Sequence, residues 1–128
     1  MSAPTGPPPD QAKIKEFLLE FKRIAGAQGV MLIRRHDNLE TLRFLGLTKK
    51  NVEEVLLALS VNEWCCGPQP DKDGDGLVWM FGTAIDGYEV YIKLKILDIA
   101  GERIAKCLSF HIAVHPLDLP LRGRSSDG

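Results

Sequence analysis

The sequence is poor in cysteine, in histidine and in net charge, and it has no long hydrophobic run. Three cysteines, Cys65, Cys66 and Cys107, stand among 128 residues, with no Cys-x-x-Cys spacing. An odd count without that spacing argues against a disulfide framework and against a zinc knuckle. Cys65 and Cys66 are adjacent, and a bridge between neighbours is strained. A reducing cytoplasm is the compartment such usage fits. The net charge is −1 and the isoelectric point about 6.3. A whole-molecule electrostatic pull on nucleic acid is therefore excluded, and any such site has to be a local basic patch. No apolar stretch approaches the roughly 18 residues of a membrane-spanning helix. The opening MSAPTGPPPD has neither the basic nor the apolar region of a signal peptide. A chain without a membrane partner is expected.

What is present suits one domain with one core: 45% of residues are hydrophobic and 26% charged. Residues 1–9 carry four prolines and no large apolar side chain, which predicts a disordered leader. Residues 10–120 form the expected domain and 121–128 a flexible tail. Asp10 is a good N-cap, and Ile14, Phe17, Leu18, Phe21, Ile24 and Ala25 follow at helical spacing. Gly26 and Gly29 are expected to stop this helix. Val30 to Ile33 read as a short edge strand. A second helix is predicted from about Asn38 to Leu45, with Leu39, Leu42 and Leu45 inward and Gly46 as its stop. A third begins at Thr48 and runs to about Leu59, with Val52, Val55, Leu56 and Leu59 as its apolar stripe.

After Trp64 the pattern changes. CCGPQPDKDGDG is rich in turn formers and reads as a polar loop. From Leu77 the apolar period becomes two. Asp86-Gly87, between LVWMFGT and YEVYIKLKIL, is a strong hairpin signal, and a two-residue turn there pairs Trp79 with Leu94 and Phe81 with Ile92. Ile99-Ala100-Gly101 suits a three-residue hairpin loop before RIAKCLSFHI. Pro116 and Pro120 oppose regular structure beyond. Helices first and an antiparallel meander afterwards predict an α+β fold, with N-terminal helices packed on one face of a C-terminal antiparallel β-sheet.

Alternation then assigns the faces. Val90, Ile92, Leu94 and Ile96 point to the helices, with Ile104, Leu108, Phe110 and Ile112 beside them. Tyr91, Lys93, Lys95, Arg103, Cys107, Ser109 and His111 are expected on the open face, with Val78, Met80 and Gly82. This is what the solvent side of any one-sided sheet carries. It is also a set of parts for cutting RNA without a metal. That chemistry needs a base for the 2′-hydroxyl, an acid for the leaving 5′-oxygen and cations for the phosphorane charge. Histidine can act as acid or base, which makes His111 a candidate with Tyr91. Lys93, Lys95, Arg103 and Ser109 are candidate phosphate and RNA contacts.

Several blocks, in order, resemble the MqsR family of bacterial type II toxins: NLETLRFLGLT, VEEVLLALSVNEWCCGP, VWMFG, GYEVYIKLKI, and CLSFH followed by PLDLP. The resemblance spans about residues 13–120. It implies a RelE-like fold, endoribonuclease activity on mRNA with no cofactor, and neutralisation by a cognate antitoxin protein. The family tyrosine matches Tyr91, and the family lysine after Ser-Phe is His111 here. Two further family positions, a lysine and a glutamine, fall at Cys66 and Val78. The other expectation for this scaffold is a non-catalytic binding protein, engaging a partner protein or an uncut RNA.

Two metal patterns are weak. DKDGDG, Asp71 to Gly76, matches the start of a calcium loop, but position 12 is Gly82 where a glutamate is needed. Cys107, His111 and His115 are spaced about 13 Å per four strand residues, too far to converge on zinc. Arg34, Arg35 and His36 form a small basic spot beside the first strand.

Overall fold

The computed structural model describes residues 10–122. The expected leader and the end of the expected tail, 123–128, lie outside them. Helix α1 spans Gln11–Gln28, and the Asp10 carboxylate accepts from the Lys13 N–H at 3.0 Å. Gly29, at φ 83°, closes the helix by donating to the Ala25 carbonyl. Gly26, expected to share in the stop, lies within the helix. Strand β1 is Val30–Leu32, α2 is His36–Leu45 and α3 is Lys49–Leu57. Thr48 and Asn51 cap α3 reciprocally, side chain to backbone in both directions. Gly46 ends α2 in the left-handed region.

The expected loop after Trp64 is instead largely a strand, β2, Trp64–Pro70. Its turn-forming composition is tolerated because it is an edge strand, where a proline lacking an N–H need not break a ladder. Two register irregularities against β3 absorb the misfit. The loop proper shrinks to residues 71–76. Strands β3 (Leu77–Ile85), β4 (Tyr88–Ile99) and β5 (Glu102–Ile112) form the meander. Asp86 and Gly87 both have positive φ, 52° and 84°, and Trp79 pairs with Leu94 and Phe81 with Ile92, as alternation requires. The second hairpin also has a two-residue turn, since Ile99 pairs with Glu102, rather than the three-residue loop expected.

The architecture is α+β, with three helices and a five-stranded sheet in the order β1-β5-β4-β3-β2. The sheet is mixed, because β1 adds to β5 in parallel. Helices α1 and α3 cover one face. There Ile14, Phe21, Val52, Leu56, Phe81, Ile92, Leu94 and Phe110 are fully buried, and Phe17 stacks on Trp79 at 4.7 Å. Leu121 also packs on this core, so order extends past the expected domain limit of residue 120.

Helix α2 does a different job. Its most buried residues are Asn38 and Thr41, while Leu39, Leu42 and Leu45 are only half-buried. β1 is three residues long and leaves the upper edge of β5 without a strand partner. Asn38 accepts from the Phe110 N–H at 2.9 Å and donates to the Leu108 and Ile33 carbonyls; Thr41 accepts from the Ile112 N–H at 3.1 Å. The polar side of α2 thus substitutes for the missing strand and covers an exposed edge.

Candidate functional site

A β-bulge decides which side chains of β5 reach the open face. Lys93 pairs with Ser109 and Leu94 with Cys107, so Leu108 is an extra residue and alternation resets there. Beyond the bulge, Phe110 faces the core, and Ser109 and His111 face away from it, as expected. Before it, the expected faces are exchanged. Ala105 and Cys107 belong to the helix-side core, and Leu108 joins a second apolar cluster with Val78 and Met80, flanked by Cys65, Cys66 and Tyr91. Lys106, opposite Lys95, moves to the open side.

Of the six predicted site residues, three come together within reach of a ligand. Tyr91 and His111 are directly paired across β4 and β5, with ring centroids 5.4 Å apart. Lys93 lies two residues along β4 on the same face, half-buried. The other three do not join them. Ser109 is opposite Lys93 but only 3% exposed, so it presents almost no surface. Lys95 is 2% exposed, and its ammonium is held by the Asp71 carboxylate and the Asp75 carbonyl, each at 2.5 Å. Arg103 follows the parity of Ala105 and Cys107 and turns to the helix side, where it pairs with Glu20 of α1. Lys95 is buried in an ion pair and Arg103 lies off the open face, so the expectation that both stand ready there beside Tyr91 is corrected. The DKDGDG segment is organised around the Lys95 ammonium, and no metal-ligand cluster occurs among the described residues.

Asp37, in the first turn of α2, completes the site and was not foreseen. Its Oδ2 lies 3.6 Å from His111 Nε2, while His111 Nδ1 meets the Ile112 carbonyl at 3.1 Å. With Nδ1 donating to that carbonyl, Nε2 is the nitrogen that can take up or release a proton. Nothing in the local sequence marks Asp37, because the contact depends on α2 running along the β5 edge. Burial, and then the neighbouring Cys66 and Cys65 thiols, push the Tyr91 phenol up to about 12, so it keeps its proton and acts as a donor.

Comparison with known proteins finds no matching family, no curated relative and no solved structure. The floor of the face is the Val78, Met80 and Leu108 cluster. One border is the segment after β5, tied down by Ala113 N–H to the Glu89 carbonyl and Leu117 N–H to the Glu89 carboxylate. Leu117 and Leu119 lie over Gly82: a Cβ there would sit 2.5 Å from Leu117 Cδ1. The result is an open shelf bearing a phenol, an imidazole, an ammonium and a carboxylate. Among the described residues, no helix is long and apolar enough to cross a membrane.

Proposed function

We propose that this shelf binds single-stranded RNA and cuts it without a metal, and that the protein is an mRNA-cleaving toxin of a type II toxin–antitoxin system, restrained by a cognate antitoxin. The observation that carries the reading is the direct pairing of Tyr91 with His111 on an accessible face, with Lys93 alongside. The resemblance of VYIKLKI and LSFH to the MqsR family supports it. In the proposed step the 2′-oxygen attacks the adjacent phosphorus and the 5′-oxygen leaves. His111 Nε2 takes the 2′-hydroxyl proton and delivers it to the departing oxygen. Tyr91 donates to a non-bridging oxygen, and Lys93 offsets the phosphorane charge. Asp37, whose Oδ2 lies 3.6 Å from the same Nε2, favours the imidazolium formed between the two proton transfers, while the Ile112 carbonyl orients the ring through Nδ1.

The commitment of Lys95 and Arg103 to ion pairs favours a second reading, a non-catalytic binding protein on the same scaffold. So does the presence of Cys66 and Val78 where the family carries lysine and glutamine. Cleavage of a long mRNA in EDTA by the purified chain separates the two. The first reading expects cleavage that survives EDTA and is lost in His111→Ala, with growth arrest on expression. Intact RNA and normal growth with the unsubstituted protein favour the second.

A further inference from the structure

The open face holds a pair of thiols that the RNA chemistry does not use. By register, one row across the sheet runs Cys66, Met80, Lys93, Ser109. In a regular strand Cys65 would point to the opposite face from Cys66. The register shift between Trp64 and Cys66 cancels that alternation. Trp64 enters the main core, while Cys65 and Cys66 both pack on the Val78, Met80 and Leu108 cluster. Both are half-buried, whereas Cys107 is fully enclosed. The irregularity therefore brings two adjacent thiols to one accessible face, in the row that contains Lys93.

We propose that Cys66 is a modification site, exchanging with small-molecule disulfides of the glutathione class, with Cys65 adjacent to it on the same face. The Cys66 thiolate attacks one sulfur of the disulfide. The original S–S bond breaks, a new one joins Cys66 to that half, and the other half leaves as a thiolate and takes a proton from solvent. The exchange needs no further oxidant. The groups facing the pair are Cys65 on β2, Tyr91 and Lys93 on β4, and Asp118 in the segment after β5. Hydrogen bonding with the Cys65 thiol and the charge of Lys93 outweigh burial and bring Cys66 down to about 7. Cys65 moves the opposite way, and burial pushes Cys107 up to about 12. Of the two accessible thiols, Cys66 is the one in register with the Met80–Lys93 row.

An adduct on Cys66 stands over the Met80–Lys93 row and obstructs the shelf; this consequence rests on the RNA reading, whereas the modification does not. The test is to incubate the full chain with glutathione disulfide and follow intact mass and peptide masses across pH. A single adduct on Cys66 is expected, forming about five-fold faster at pH 7 than on an unperturbed thiol, since lower nucleophilicity offsets part of the larger thiolate fraction. Its rate should level off through the region near pH 7, and Lys93→Gln should move that midpoint upward. Labelling of Cys65 or Cys107 first, labelling only in denaturant, or a midpoint near that of an ordinary thiol overturns the proposal. Retention of a single-stranded RNA probe is read in parallel. It should fall on modification of the unsubstituted protein, with no response to the same treatment in Cys66→Ser. A clean Cys66 adduct that leaves retention unchanged overturns the obstruction but supports the site. Absence of RNA retention before treatment counts against the RNA reading and leaves the mass result to stand by itself.

Discussion

Tyr91 and His111 face each other for a reason readable in single residues, yet their roles separate experimentally. The phenol keeps its proton at any pH the protein will meet, so Tyr91→Phe removes a donor without removing the acid–base group. It should slow cleavage by about 10- to 100-fold while keeping the pH profile, whereas His111→Ala should lose about 10²- to 10⁴-fold and the profile with it. Single-turnover cleavage across pH checks both; a flattened profile in Tyr91→Phe would reverse the assignment. Lys95 shows how a residue's place can be legible and its role not. Alternation puts it on the open side, where it is, but nothing in YIKLKIL says that the 71–76 loop, ahead of β3, will supply it with a carboxylate. Removing one member of a buried pair strands the other. Asp71→Ala should therefore destabilise the fold by about 3–5 kcal/mol in urea unfolding, and Asp71→Leu with Lys95→Met should recover most of it. The hydrogen bond from Lys95 holds the Asp71 carboxyl below its ordinary value. A depressed folded value means stability that is present above the ordinary carboxylate range and lost as pH falls through the folded value. The unfolding midpoint should drop below about pH 4, and this acid limb should be shallower in Asp71→Asn.

At the scale of elements, the sequence is most informative where each residue's neighbours decide its environment. Helix α1 with its Asp10 cap, the Thr48 start of α3 and the Asp86-Gly87 hairpin register all follow from local pattern. The departures come where a distant partner decides. β2 carries Gly67, Pro68 and Pro70, and only its edge position against β3 makes it a strand. The bulge at Leu108 exchanges the faces of residues 103–108, and binary pattern cannot place it, because both registers put apolar side chains on the core. Helix α2 reads as an amphipathic helix with leucines inward, and Leu42 and Leu45 do pack on the core, but its most buried residues are polar. Asn38 is fully buried and serves one N–H and two carbonyls. Its truncation leaves those groups without partners and should cost about 2–4 kcal/mol. Asn38→Ala should therefore lower the urea midpoint and raise hydrogen exchange at the Phe110 amide, with much less change at the Asp86-Gly87 hairpin. Uniform exchange gains over the whole sheet would mean that α2 is integral to the core rather than an edge cover.

For the whole molecule, the decisive quantity is how few cations the open face presents to RNA among the described residues. The net charge is −1, so long-range attraction is weak. On the open face, Lys95 is spent on Asp71, and Arg103 is on the other side with Glu20. Lys93 and Lys106 remain there, and the exposed Arg34 and Arg35 precede α2 next to Asp37. Two to four phosphate contacts imply a slope of about −1.4 to −3 in log affinity against log salt for a single-stranded probe. Lys93→Ala should reduce that slope by about 0.7, the share of one contact. Lys95→Met in the Asp71→Leu background should leave it unchanged. Fluorescence anisotropy of a labelled RNA over a salt series gives both numbers. A much steeper slope would mean that RNA wraps beyond the shelf onto other basic groups. A slope that responds to Lys95 but not to Lys93 would put the interface on the 71–76 loop instead. With so little charge to draw on, binding by this face depends on close contacts with Tyr91 and His111 rather than on attraction at a distance, and affinity should respond more to substitution of Tyr91 than to a modest rise in salt.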